Sequence, residues 1–422
     1  MNEITGIKAR EVLDSRGNPT VEVAVTTGEK LGIGIVPSGA STGSNEALEL
    51  RDNETRYLGK GVLNAVNNVN TIIAPKIIGL DVTDQKEIDK ALLELDSSEA
   101  KSNLGANALL GVSLAACKAG ALVKQIPLFE HIGHMIGSHG FTLPTPFLNI
   151  INGGEHADND LSIQEYMIVP GGMNFAESLR MGSEVYHTLK KIINKKYGSA
   201  NVGDEGGFAP RMKSYTDPFD AIMKALEELG YDKSVKLAID AAASEFYKNG
   251  KYLFHGKKLK PGKMVDIYEK MAKDYPIISI EDPFNEDAFE DFAELNKRLK
   301  SVNVVGDDLL CTNPKRIGKA IEMKSCSCLL LKVNQIGTVT EAIEAAQKAM
   351  DSGWDVMVSH RSGESEDSFI ADLAVGLSTG QLKAGAPCRG ERTAKYNQLL
   401  RIEELLGGNS DYLGTSCVRK GN

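Results

Sequence analysis

The chain has 422 residues, 42% of them hydrophobic and 25% charged, with a formal charge of −9. Such a chain is long enough for two globular domains, and its acidic balance argues against a nucleic-acid surface. No run of about 18 apolar residues stands out, so no membrane span is expected, and Met1-Asn2-Glu3-Ile4-Thr5 lacks the basic-then-apolar pattern of a leader.

In chain order, Ile7 to Val12, Val21 to Thr26 and Leu31 to Val36 read as strands, the first two joined by the turn-rich Asp14-Ser15-Arg16-Gly17-Asn18-Pro19. Helical patterns follow at Gly61 to Ala74, Thr83 to Leu95 and Gly105 to Val123. Strands followed by helices predict a smaller α+β domain over residues 1–135. Gly32-Ile33-Gly34 lacks the third glycine of a dinucleotide fingerprint, because Pro37 stands there. Pro37-Ser38-Gly39-Ala40-Ser41-Thr42-Gly43 is a hydroxyl-rich mobile loop but no P-loop, since no Lys follows its last glycine. Glycines and prolines crowd residues 131–146, which places the joint there. His131, His134 and His139 within that stretch read as bland rather than as a metal set.

From residue 143 to 422 strands and helices alternate, and this half predicts a β/α barrel with modified first units. Residues 236–239 end at Asp240, 277–280 at Glu281 and 302–306 at Asp307. Residues 328–331 end at Lys332, 356–359 at His360 and 377–382 at Lys383. From Glu281 onward these positions are 26, 25, 28 and 23 residues apart, about one strand, one helix and two loops each. Parallel strands buried on both faces build a barrel, and their carboxyl ends gather at one mouth. Thr312-Asn313-Pro314 and Gly337-Thr338 are helix starts, and Asp351-Ser352-Gly353 is a helix stop. The six cysteines are scattered, mostly in apolar segments, and Cys326-Ser327-Cys328 is no zinc spacing. Buried thiols in a reducing compartment point to a cytoplasmic protein.

Three carboxylates at strand ends, Asp240, Glu281 and Asp307, would repel and raise one another's pKa unless a cation sits among them. All-oxygen donors favour Mg²⁺ or Mn²⁺ over zinc; helix caps or ion pairs are the plain alternative. Lys332 ends a leucine run, where a neutral amine near a cation and Lys383 could take a proton from carbon; a salt bridge to Asp307 or Glu281 is the alternative. Glu205, among glycines in Gly203-Asp204-Glu205-Gly206-Gly207, could be a protonated general acid or a solvated turn residue. Arg361 and Ser362, after His360, offer a fork and a hydroxyl suited to phosphate.

Taken in order, several segments resemble the enolase family over nearly the full length: Asp14 to Glu22, Ser38 to Gly43, Asn152 to Ala157, Gly203 to Gly207, Ser279 to Phe284, Gly306 to Leu309, Leu330 to Gly337 and Ser359 to Glu364. The resemblance implies a carbon–oxygen lyase that interconverts 2-phosphoglycerate and phosphoenolpyruvate, with two Mg²⁺ per site, the second arriving with substrate. It implies that Asp240, Glu281 and Asp307 hold the first ion and that Ser41 helps hold the second. It makes Lys332 the base for the C2 proton and Glu205 the acid for the C3 hydroxyl. Lys383 then holds the substrate carboxylate, Arg361 and Ser362 the phosphate, and His156, Gln164, Glu165 and His360 complete the site. It also implies a homo-oligomer, dimer or octamer. Residues differing from the usual pattern, Phe147-Leu148, Ser162, Ala384 and Gly390, neighbour site residues and replace none. The competing readings are a related barrel enzyme that removes a proton beside a carboxylate, and a non-catalytic surface or cytoskeletal binding protein.

Overall fold

The computed structural model of the chain describes residues 2–40, 43–138 and 140–418. It opens with an antiparallel meander, Gly6–Leu13, Pro19–Thr27 and Lys30–Ile35. Alternation on the central strand buries Val21, Val23 and Val25 on one face. That face packs on the helix Ala106–Lys124, whose Ala- and Gly-rich surface lets the layers come close. A Cβ at Gly32 would stand 2.2 Å from the Ala115 carbonyl oxygen, so tight helix–sheet contact explains a glycine there. By length and composition this helix could cross a membrane, against the expectation that no such run exists. Its residues are largely buried inside the domain, which makes it a core helix.

Two further helical stretches complete this domain. Leu63 to Ile77 is nearly continuous, with a π turn at Val69–Ile73, and Gln85–Leu95 is capped by the Asp84 carboxylate, which accepts the Glu87 N–H. The stretch expected to be a joint is more ordered than its glycines suggest. The helix Leu128–Met135 runs into it, and Phe141–Leu143 pairs in parallel with Ser410–Tyr412. Helix Leu128–Met135 leans on the barrel helix Phe369–Gly376, where a Cβ at Gly376 would stand 2.6 Å from the Phe129 carbonyl oxygen. Composition there reflects close packing as much as flexibility. His131 is buried and His134 faces Glu130 at 3.8 Å, while His139 lies outside the described residues.

The rest closes into an eight-stranded barrel. In spatial order its strands are Thr145–Asn152, Glu165–Pro170, Val235–Asp240, Ile277–Glu281, Asn303–Gly306, Cys328–Leu331, Asp355–Ser359 and Gly380–Lys383. The expected strand over 377–382 begins later, because Leu377 caps the preceding helix and Ser378 turns with φ 52°. Both helix starts hold: Asn313 accepts the Lys315 N–H and Thr338 accepts the Glu341 N–H. The modified first units take a definite form. Glu165–Pro170 runs antiparallel to both its neighbours, while the other adjacent strands run parallel.

Candidate active site

The parallel strands deliver their last residues to one mouth, as the spacing predicts. Asp240, Glu281 and Lys383 end their strands, and Asp307, Lys332 and His360 come one residue after theirs. The reversed strand contributes from its other end: Glu165, its first residue, stands opposite Asp240 in register. His156, Gln164, Glu165, Glu205, Asp240, Asp307, Lys332, His360, Arg361, Ser362 and Lys383 line one cavity of about 30 Å³, together with Gly39 and Ala40 of the N-terminal domain. Glu281 lies behind Lys383. Ser41 lies outside the described residues. A larger groove of about 1020 Å³ opens at the other end of the strands, beside Asn303, Ser327 and Trp354, far from this set.

Two lysines meet the carboxylates. Lys383 Nζ lies 2.8 Å from both Glu281 oxygens, 3.1 Å from Asp240 Oδ2 and 3.2 Å from Glu165 Oε1. Burial disfavours its charge, but these carboxylates prevail and hold it as an ammonium well above the usual lysine range. Burial, then the neighbouring Asp240, raises Glu281; burial, then Glu205, raises Glu165. Lys332 Nζ lies 2.5 Å from Asp307 Oδ2. Burial favours its neutral form, yet the Asp307 carboxylate outweighs burial and lifts it above the usual lysine range. In this arrangement Lys332 is a charged ammonium rather than the neutral amine expected from sequence, and the salt bridge is present.

Glu205 sits deeper. Asn149 Nδ2 donates to its Oε2 at 2.9 Å, His360 Nε2 faces the same oxygen at 3.4 Å, and His156 Nε2 lies 3.8 Å from Oε1. Burial would raise its pKa, but the two imidazoles and Arg392 carry it well below the usual carboxylate range. The carboxyl expected to be protonated is therefore held here as a carboxylate. Arg392 Nη1 lies 2.6 Å from His360 Nδ1, so Nδ1 is the acceptor and Nε2 carries the hydrogen toward Glu205. Burial, opposed by Glu205, lowers the His360 pKa to about 4 and leaves the ring neutral near pH 7. His156 Nδ1, Gln164 Oε1 and Glu165 Oε2 are buried polar atoms without a hydrogen-bond partner, all at this cavity. Groups so left are commonly satisfied by something that binds.

Arg361 is gripped from the N-terminal domain. Glu46 accepts from both guanidinium ends, at 2.8 and 3.1 Å, and the Asn334 side-chain oxygen accepts at 2.9 Å. Ser362 Oγ is 3.3 Å from Arg16 Nη1, and Arg16 Nη2 donates to the Ser38 and Gly39 carbonyls. Ser38 and Gly363 exchange backbone hydrogen bonds at 2.8 Å. A Cβ on Gly363 would stand within 2.7 Å of Asp14, Arg16 and Ser38 atoms, so only glycine fits. The first domain thus seats its 37–40 segment directly on the barrel mouth.

The donor set suits a hard divalent cation. Asp240, Glu281, Asp307, Glu165 and Glu205 face Lys332 and Lys383 directly, and these five donors are all oxygen. The Lys383 ammonium already shows that Asp240 and Glu281 can turn their oxygens to one positive centre. The tightest acidic groupings among the described residues are His156–Glu165–Glu205 and Asp282–Asp307–Asp308, each with ligand atoms within 4.8 Å. Asp240, Glu281 and Asp307 do not form such a grouping here, because Lys383 holds the first two while Asp307 turns to Lys332 and Gln335. Asp282, φ 39°, accepts the N–H groups of Asp307 and Asp308.

No strand-end period marks Glu46, Asn149, Asp282, Gln335 or Arg392, which act through the residues they touch. Asp282 and Gln335 do lie within the segments that carried the resemblance, but their partners are distant in sequence.

Two family descriptions match the chain in order: Enolase, N-terminal domain, over residues 4–132, and Enolase, C-terminal TIM barrel domain, over residues 140–421. An enolase of Methanocaldococcus jannaschii is 57% identical over 409 residues, 96% of each chain. Enolases of Thermococcus kodakarensis and Thermococcus gammatolerans are 57% and 56% identical over 420 residues, 98% of this chain and 97% of theirs. Two matching halves in the right order, relatives of this closeness and a barrel mouth lined as described leave one conclusion: the chain belongs to the enolase family.

Proposed function

We propose that this chain, a carbon–oxygen lyase catalysing the reversible dehydration of 2-phosphoglycerate to phosphoenolpyruvate in glycolysis, uses Lys332 to remove the C2 proton and Glu205 to assist departure of the C3 hydroxyl. The observation that carries this division is the placement of the two groups. Lys332 follows the strand Cys328–Leu331, whereas Glu205 comes from the 203–207 loop.

The C2 proton is weakly acidic, because its removal leaves a second negative charge beside a carboxylate. Lys383, buried and permanently charged, is suited to hold that carboxylate. Arg361 and Ser362 face the cavity and are suited to the phosphate, with Glu46 keeping the guanidinium aimed while the site is empty of anion. His156, Gln164 and Glu165 offer unpartnered polar atoms that the hydroxyl, carboxylate or phosphate of the substrate would satisfy. Lys332 must shed its proton and its tie to Asp307 before it can act as a base, and Glu205 must gain one before it can act as an acid.

The family uses a divalent metal. In our reading it is Mg²⁺, one ion on Asp240, Glu281 and Asp307 and a second, aided by Ser41, arriving with substrate. Bound there, the ions would supply positive charge that competes with both lysines for the carboxylates and offsets the charge developing on the substrate carboxylate. A cavity of about 30 Å³ has room for roughly two waters. Substrate therefore needs the lysine–carboxylate pairs to part and the 37–40 segment to move, which would close again to exclude water.

A cytoplasmic location belongs to the same reading, supported by six free cysteines of which five are buried. The division into residues 1–135 and 143–422 and a homo-oligomeric state complete it. The test is the Mg²⁺-dependent appearance of phosphoenolpyruvate from 2-phosphoglycerate, abolished by EDTA and restored by excess Mg²⁺. Turnover unaffected by EDTA would remove the metal assignment, and no turnover under any divalent ion would favour the non-catalytic reading.

A further inference from the structure

Gln335 does not line the cavity, yet its side chain is buried and fully committed. Its Nε2 donates to Asp307 Oδ1 at 2.9 Å and to Glu46 Oε1 at 3.4 Å. Its Oε1 accepts the Thr312 hydroxyl at 2.8 Å, and the Thr312 oxygen accepts the Lys332 N–H at 3.1 Å. Charge fixes the orientation of this amide. A flipped side chain would aim its carbonyl oxygen at two carboxylates, so the NH₂ must face them.

The backbone is bent to make the relay. Cys311 and Thr312 take successive φ values of 46° and 52°, a region that a β-branched threonine disfavours. Such strain costs about 1–3 kcal/mol per residue and persists only where the surroundings hold it, commonly at functional sites. Here it brings a fully buried hydroxyl between Gln335 and the Lys332 backbone. Asp307 is thereby divided: Oδ1 goes to Gln335 and Oδ2 to Lys332 Nζ. The same residue also reaches the other domain, since the Gln335 carbonyl accepts the Ala47 N–H at 2.8 Å. Glu46, one residue earlier, accepts the Gly43 N–H and pairs with Arg361.

We infer that Gln335 is the positioning residue of this site: its amide sets the angle of the Asp307 carboxylate, anchors the strand end that carries Lys332, and ties both to the 43–47 segment of the first domain. The inference rests on the reading above that Asp307 is a metal ligand and Lys332 the base. Partners that orient a ligating carboxylate typically matter 10- to 100-fold in metal affinity or activity.

The test uses the full chain and Mn²⁺, with free ion followed by electron paramagnetic resonance. Gln335→Met keeps the volume and removes both donor and acceptor. It is expected to bind Mn²⁺ about 10- to 100-fold more weakly. At saturating Mg²⁺ its kcat should fall by a similar factor while KM stays within about twofold, because Arg361 keeps Glu46. Thr312→Val, which cuts the relay without touching a carboxylate, should shift Mn²⁺ affinity the same way by several-fold, about what one neutral hydrogen bond contributes, and decides the matter if Gln335→Met does not fold. Parent affinity in either folded variant overturns the inference. Asp307→Asn serves as the control: if it too binds Mn²⁺ like the parent, the reading of Asp307 falls and this inference with it. Loss in Asp307→Asn alone sinks only the role of Gln335.

Discussion

The two halves of the barrel place chemistry by different rules. From Ile277 to Lys383 the strands run parallel, and each presents a charged or ionisable residue at or just past its carboxyl end. From Thr145 to Asp240 one strand is reversed, and its contribution, Glu165, stands at its amino end beside Gln164, with His156 and Glu205 on loops. On the proposed reading the regular half supplies the base, the carboxylate-holding lysine and two of the metal ligands, and Asp240 of the other half supplies the third. On the same reading the irregular half supplies His156, Glu165 and Glu205 to the departing hydroxyl. A barrel can thus keep one mouth while changing strand direction, provided the reversed strand's functional residue moves to its other end.

That contrast can be broken from either side. Removing divalent metal strikes the regular half as a whole, and activity should fall by at least about 10³-fold and return with Mg²⁺. Glu205→Gln strikes the irregular half. It should lower dehydration by about 10²–10⁴-fold while C2 proton exchange in deuterated solvent survives; equal loss of both would erase the division of labour. Arg361→Lys keeps the charge but loses the fork, and should raise KM for 2-phosphoglycerate by about tenfold with a smaller change in kcat.

The smallest effect lies outside the barrel mouth and separates fold from chemistry. His131 is buried with neither ring nitrogen hydrogen-bonded, and burial lowers its pKa to about 4. A folded value below the unfolded value of about 6.5 leaves stability intact above pH 6.5 and removes it as pH falls toward 4, by about 3 kcal/mol at pH 4. His131→Leu should therefore lose less stability than the parent between pH 7 and pH 4, read by urea unfolding. An identical acid dependence would show that His131 is not the sensitive group.

The regular half was legible because parallel strands buried on both faces become apolar runs, and a charge ending such a run is conspicuous. Glu165 opens its run instead of closing it, so no period exposes it, and only the resemblance supplied it with Gln164 and His156, whereas Glu205 stood out by its glycines. In the stretch 131–146 glycine serves close packing as well as a chain joint, as a Cβ at Gly133 standing 2.8 Å from the Phe141 ring shows. The protonation states of Lys332 and Glu205 were beyond the sequence: Asp307 at 2.5 Å, and His360 turned by Arg392, are products of tertiary contact. Gln335, Thr312 and Glu46 were hidden for the same reason, since the contacts that matter reach partners 20 to 315 positions away.

The most direct measurement is C2 proton exchange of 2-phosphoglycerate in deuterated solvent by Lys332→Ala, with Mn²⁺ binding followed in the same sample. Exchange and dehydration should both disappear while the ion still binds. Exchange that continues at the parent rate would mean that another group takes the proton, and the roles assigned to the two halves of the barrel would have to be redrawn.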